Sequence, residues 1–214
     1  MKMIDYGVDR SKLLPGMWVH ERGTWFLSRT IRFFLNCWEW RVWAKYRKAL
    51  QPIWKRCPDV WGNHDGIILP PLPGERDWAV GEAIEHGSVR TPLSDYESQV
   101  RRGLCEIRFF KPTICDDATM TAAADYWQKH IYGRPYDYQA YWGLIWDCLV
   151  ASTWNTSRKG HFYCTEGIAD AYLGVGVDVL QDDTPAPFHV EQVAGLLPAS
   201  PRKKITLKEV IAAV

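Results

Sequence analysis

Apolar and polar positions along this chain change from a period of two to a period of three to four and back, and these switches mark out its elements. After Pro15-Gly16, residues 17–21 predict a short strand that turns at Gly23. Ser28 stands where a helix would be capped, and Ile31, Phe34, Leu35 and Trp38 then recur at helical spacing. Residues 63–69 and 78–85 read as two strands flanking the Pro- and Gly-rich connection PPLPGERD, and residues 104–110 as a further strand ahead of Lys111-Pro112. Residues 118–131 predict a helix stopped by Gly133 and Pro135. A second, strongly apolar helix is expected over 141–152, with Trp142, Ile145, Trp146 and Val150 on one stripe. A polar loop, 155–160, then leads through His161-Phe162-Tyr163 to Cys164 and a helix over 165–173, ended by Gly174 and Gly176. The tail holds a Pro-rich loop around Pro185 and Pro187 and a basic turn at 202–204. No internal repeat and no low-complexity stretch interrupts this order.

Composition narrows the class. A chain of 214 residues suits one compact domain, with or without an insertion. Apolar residues make up 47% and charged residues 24%, an ordinary globular balance. The formal net charge is +1, so nothing in the overall field calls for a nucleic acid. Residues 1–16 hold no apolar stretch long enough for a signal peptide, so the expectation is synthesis in the cytoplasm. The six cysteines are widely and irregularly spaced with no CxxC pair, which argues against structural zinc and for reduced thiols, most of them in the core.

One stretch stands apart, at 37–61. There Trp38, Trp40, Trp43 and Trp54 interleave with Arg41, Lys45, Arg47, Lys48, Lys55 and Arg56. Trp40, Trp43, Arg47, Leu50 and Trp54 follow three- and four-residue steps, which predicts a basic amphipathic helix, bent or broken at Pro52. Such a helix can lie on an anionic membrane or grip a polymeric substrate. It can equally pack its tryptophans on the domain or on a partner protein while the cations stay in water.

Cys164 is the thiol with distinctive neighbours. It begins a helix, where the positive end of the helix dipole favours a thiolate and unpaired backbone N–H groups can receive an oxyanion. A base would have to come from the histidines. His64 begins a strand, and if 64–69 and 78–84 pair antiparallel about Pro73, it lies opposite residues 82–84. Glu82 could then hold the imidazole, the orienting role in a triad, while Asp65 points to the other face by strand alternation. Cys148 and Cys105 sit among apolar neighbours and read as core. His161 and His189 read as loop histidines, either solvated or touching a substrate.

The order of these pieces resembles the permuted NlpC-type papain-like family, the YiiX-like group, with lecithin:retinol acyltransferase-like proteins as distant relatives. The resemblance spans residues 15–176. It rests on the Pro15-Gly16 strand with the helix at Ser28-Arg29-Thr30-Ile31-Arg32, on His64-Asp65-Gly66-Ile67-Ile68, on Val80-Gly81-Glu82-Ala83, and on Phe162-Tyr163-Cys164-Thr165-Glu166. Gly133-Arg134-Pro135-Tyr136-Asp137 is similar to the Gly-x-x-Tyr-Asp turn of that family. Met17 departs from the aspartate common after the opening glycine, and 37–61 looks like an insertion. The resemblance implies Cys164 as nucleophile, His64 as base, Glu82 as orienting group and Tyr163 beside the oxyanion site.

The expectation is therefore an α+β, permuted papain-like fold over 1–214, with a small antiparallel sheet packed against helices. Its activity would be that of a thiol hydrolase cutting an amide, as a peptidoglycan endopeptidase or amidase acting on cell-wall peptides, with no metal or organic cofactor. Without a signal peptide, a phage particle or a dedicated secretion machine would carry such an enzyme to the wall. A lipid acyl hydrolase or acyltransferase, or a non-catalytic protein keeping the fold, are the alternatives.

Overall fold

The computed structural model describes residues 7–24, 28–33, 36–37, 40, 62–112, 115–139, 142–143, 146 and 160–178, and the backbone of 207–210. The class is α+β. Six strands form one antiparallel sheet: β1 (Trp18–Gly23), β2 (His64–Leu69), β3 (Ala79–Ile84), β4 (Gly87–Pro92), β5 (Cys105–Pro112) and β6 (Leu207–Val210). Their spatial order is β4-β3-β2-β1-β5-β6. Among the helices of the described residues are α1 (Leu93–Arg101), α2 (Asp117–Tyr126) and α3 (Cys164–Leu173).

The period-two pattern explains the two-sided core. One face of the sheet carries Trp18, Ile67, Leu69, Ala79 and Phe110, and α2 and α3 cover it with Met120, Ala123, Ile168, Ala171 and Tyr172. The opposite face carries Met17, Val19, Ile68, Val80, Ile107 and Phe109, covered by Leu93 and Tyr96 of α1. Burying both faces of the central strands removes most of their apolar area from water, the main term favouring the fold. β5 shows the alternation directly, with Cys105, Ile107 and Phe109 buried and Glu106 and Arg108 exposed.

The expected hairpin is present. β2 and β3 pair antiparallel with Gly66 opposite Glu82 and Leu69 opposite Ala79. The expected helix over 118–131 is corrected in its second half. It is α-helical only to Tyr126 and continues as a π-helical turn, Trp127–Ile131, in which the Tyr132 N–H donates to the Trp127 carbonyl. That turn lays the Trp127 ring against Gly81 of β3. A Cβ at Gly81 would come within 2.9 Å of the ring and 2.8 Å of Leu69. Gly81→Ala is accordingly expected to cost about 1–3 kcal/mol by overpacking, read as a lower urea midpoint with an unchanged slope.

Among the elements absent from the sequence reading are β4, α1 and the terminal β6. β4 has no alternating apolar pattern, and α1 starts after Pro92 with no side-chain cap and few apolar residues. β4 nevertheless positions the site. Gly87, at φ +108°, closes the β3–β4 turn, where a Cβ would meet the Arg134 carbonyl. The Ser88 N–H donates to that carbonyl, and the Gly133 N–H donates to the Ser88 carbonyl. The 133–137 turn is thereby clamped to β4, and it in turn bridges to Phe162, just ahead of α3.

Residues 28–33, 36–37 and 40 are helical, in keeping with the helix expected after Ser28. The rest of the Trp-rich stretch, most of the apolar helix over 141–152, and the Pro-rich and basic turns of the tail lie outside the described residues, although 142–143 and 146 are helical. No helix among the described residues is long and apolar enough to cross a membrane.

Candidate active site

α3 begins at Cys164, with Tyr163 at its N-cap in an extended conformation and no side chain capping the helix. Helix geometry leaves the first-turn N–H groups without intrahelical acceptors, so a concentration of donors sits beside the sulfur. Cys164 is nearly buried and packs with Tyr163 and Tyr136. The 133–137 turn provides Tyr136, which explains why that turn must be held so firmly to β4.

His64 opens β2 at the end of the sheet. Its Nε2 lies 2.5 Å from Glu82 Oε2, and Cys164 lies near enough to interact with the ring. Because Nε2 faces the carboxylate, Nδ1 is the ring nitrogen left for the thiol. Burial disfavours the imidazolium, but the hydrogen bonds and charges of Cys164 and Glu82 outweigh it and raise the His64 pKa well above 6.5. The ring keeps 18% of its surface open, enough for a substrate to reach it.

Glu82 is buried on β3 and not a solvated carboxylate. Besides His64, it accepts from the Tyr96 hydroxyl at 2.6 Å and from the Thr91 hydroxyl. Burial alone would raise its pKa; the hydrogen bond and charge of His64, with Thr91 and Tyr96, bring the net shift below the ordinary value. Tyr96 is pushed the other way, well above 10.0, first by its own burial and then by the Glu82 charge, so it remains a donor. Glu21 is the cross-strand partner of His64 and a second carboxylate beside the ring. Burial raises the Glu21 pKa against the opposing effect of His64.

The structure therefore brings Cys164, His64 and Glu82 together and puts Tyr163 next to the sulfur. Three neighbours were missed: Glu21, Thr91 and Tyr96. Glu21 was visible at the end of the expected first strand; Thr91 lies on β4, which does not alternate, and Tyr96 lies on α1, whose only trace is the short spacing of Leu93, Tyr96 and Val100. Asp65 points to the opposite face, as alternation requires. There Asp65 Oδ1 lies 2.5 Å from His20 Nδ1 and Oδ2 accepts from the Thr165 hydroxyl at 2.6 Å.

Two other described thiols, Cys105 and Cys115, differ from Cys164 in their surroundings. Burial, with the nearby carboxylates of Glu21, Glu106 and Glu82, pushes Cys105 up to about 12. Burial likewise raises the Cys115 pKa. Both are weak nucleophiles for that reason. A cleft of about 560 Å³ is lined by Tyr136 together with Glu85, His86, Tyr138, Trp142 and His161. His161 thus faces the cleft, whereas His189 lies outside the described residues. Among the described residues no group of three His, Cys, Asp or Glu side chains is arranged to hold a metal ion.

This arrangement can form a thiolate beside an imidazolium, hold that imidazolium by a buried carboxylate, and present backbone donors to a developing oxyanion. No protein-family model matches the chain, and no curated protein matches it.

Proposed function

We propose that the chain is a thiol hydrolase with a permuted papain-like fold, cutting an amide bond in bacterial cell-wall peptides as an endopeptidase or amidase. One observation carries this reading: the His64 ring lies 2.5 Å from the Glu82 carboxylate and within interaction distance of Cys164. A nucleophile, a base and a group orienting the base are the three parts of a triad, and three separate elements deliver them.

In the proposed reaction the Cys164 sulfur attacks the amide carbonyl, whose π electrons move to oxygen and are met by the first-turn N–H groups of α3. Protonated His64 gives its proton to the departing amine as the C–N bond breaks, leaving a thioester on Cys164. A water molecule then attacks the thioester, His64 takes its proton, and the acid product leaves while Cys164 is restored. The choice of wall peptide as substrate follows the family resemblance. The aromatic cleft beside Tyr136 supports an extended ligand.

A lipid ester as substrate would use the same three residues. The exposed Trp40, Trp142 and Trp146 favour that second reading. Incubating purified wall sacculi and phospholipid vesicles in parallel with the wild-type chain, and identifying the products by mass spectrometry, distinguishes them. New peptide ends from sacculi, with vesicles intact, are expected. Released fatty acid with intact sacculi would transfer the assignment to lipid, and no product from either would remove both.

A further inference from the structure

We propose that His20, Asp65 and Thr165 form a positioning relay that sets where the Cys164 sulfur stands relative to His64, a role that rests on the thiol-hydrolase reading. β2 contributes two consecutive residues, His64 and Asp65, and α3 contributes two consecutive residues, Cys164 and Thr165. Each strand residue meets one helix residue: His64 interacts with Cys164, and Asp65 accepts from the Thr165 hydroxyl at 2.6 Å. The second contact ties the first turn of α3 to the strand immediately beside the base.

The far end of the relay is equally constrained. His20 and Asp65 are register partners on β1 and β2, and their Nδ1 and Oδ1 atoms are 2.5 Å apart. Both are 1% exposed and Thr165 is fully buried, so these charge-assisted bonds act in a low dielectric. The His20 ring has little room to turn. Gly62 lies so close that a Cβ there would overlap the ring, and Phe110 meets it edge-on at a centroid distance of 6.2 Å.

The direction of the hydrogen bonds decides what the relay does. Thr165 Oγ1 lies 3.8 Å from Cys164 Sγ. A hydroxyl has one proton, and this one is given to Asp65, so only a lone pair faces the sulfur. Thr165 therefore does not donate to a thiolate; it can only accept from the thiol across that long contact, and its larger effect on Cys164 is positional. Stability alone does not account for the trio, because apolar residues of similar volume would fill the same space without desolvating a carboxylate.

The test compares Thr165→Val, which keeps the shape and loses the hydroxyl, with Thr165→Ser, which keeps the hydroxyl. His20→Leu and His20→Asn form a second pair, since the asparagine amide can donate from near the Nδ1 position. Alkylation of Cys164 by iodoacetamide is followed across pH by peptide mass spectrometry, with kcat and KM on sacculi and a melting curve for each variant. In Thr165→Val and His20→Leu the alkylation rate near neutral pH should fall about tenfold and its acid limb move to higher pH, as the His64 contact loosens. Turnover should fall by on the order of 100-fold with KM within about twofold, the usual consequence of a misplaced reacting group. Thr165→Ser and His20→Asn should recover most of both rates. A reactive wild-type Cys164 whose rate is unchanged in the folded Val and Leu variants would overturn the relay alone. Equal losses in Thr165→Ser and Thr165→Val would do the same. A wild-type Cys164 no faster than the other thiols would overturn the hydrolase reading and the relay with it.

Discussion

Cys164→Ala is expected to reduce release of wall peptides to background, and His64→Ala to lower turnover by about 10²- to 10⁴-fold. The two losses have different causes. Alanine at 164 removes the only atom that can form the thioester; alanine at 64 leaves the sulfur in place but removes the proton acceptor and donor. Cys164 is nearly buried and small, so its truncation should leave the fold intact. A readout independent of substrate comes from the imidazole itself. In the wild type, burial lowers the His64 pKa while Cys164 and then Glu82 raise it, with a net rise well above 6.5. In Cys164→Ala the carboxylates of Glu82 and Glu21 are left to oppose burial without the sulfur, so the ring's NMR titration midpoint should move down. The sign for stability follows from linkage. A histidine with a raised folded pKa stabilises the fold fully below its unfolded value, near 6.5, and that contribution disappears as pH rises through the folded value. The stability gap between wild type and Cys164→Ala should accordingly close at alkaline pH. An identical His64 titration in both proteins would show that sulfur and ring do not meet.

Glu82→Leu should be the most destabilising change at the site, by about 3–5 kcal/mol in urea unfolding, because it strands three donors in a buried pocket. His64 would lose its carboxylate, and the Tyr96 and Thr91 hydroxyls would lose their acceptor. Glu82→Gln retains an acceptor oxygen for part of this network and should cost less than half as much. The pH dependence runs opposite to that of His64. The folded Glu82 pKa is lowered, so its contribution is present above the ordinary carboxyl value of about 4.3 and is lost as pH falls through the folded value. Wild type should therefore lose its advantage over Glu82→Gln in strong acid. Equal unfolding free energies for wild type and Glu82→Leu at neutral pH would contradict the buried network. Activity should fall with stability only in part: the folded fraction of Glu82→Leu should still turn over more slowly, since its imidazole is no longer held.

Much of this architecture could be read from the chain. Alternation around the Pro- and Gly-rich connection marked β2 and β3, and the resulting register brought His64 near Glu82. The polar loop and aromatic residues ahead of a helical run marked Cys164 as a helix start. These features are legible because strand period, turn chemistry and helix termini are local, each encoded within a few residues. The Asp65 side chain's direction followed from the same alternation.

Tertiary structure alone decided the rest. β4 lacks apolar alternation and α1 offers only the short spacing of Leu93, Tyr96 and Val100; neighbouring strands and the second core hold both, so Thr91 and Tyr96 could not be assigned to Glu82 beforehand. The π-helical turn at Trp127 arises where a ring must fit over Gly81, a demand imposed by another element. His20 and Asp65 are 45 positions apart and Asp65 and Thr165 are 100 apart. A polar pair at such separation leaves no repeating trace in the sequence. Its members are ordinary residues until the apolar faces of the sheet and helices close and exclude the water that would otherwise satisfy them. Local pattern thus determined which residues could do chemistry, and the burial of both sheet faces determined which of them meet.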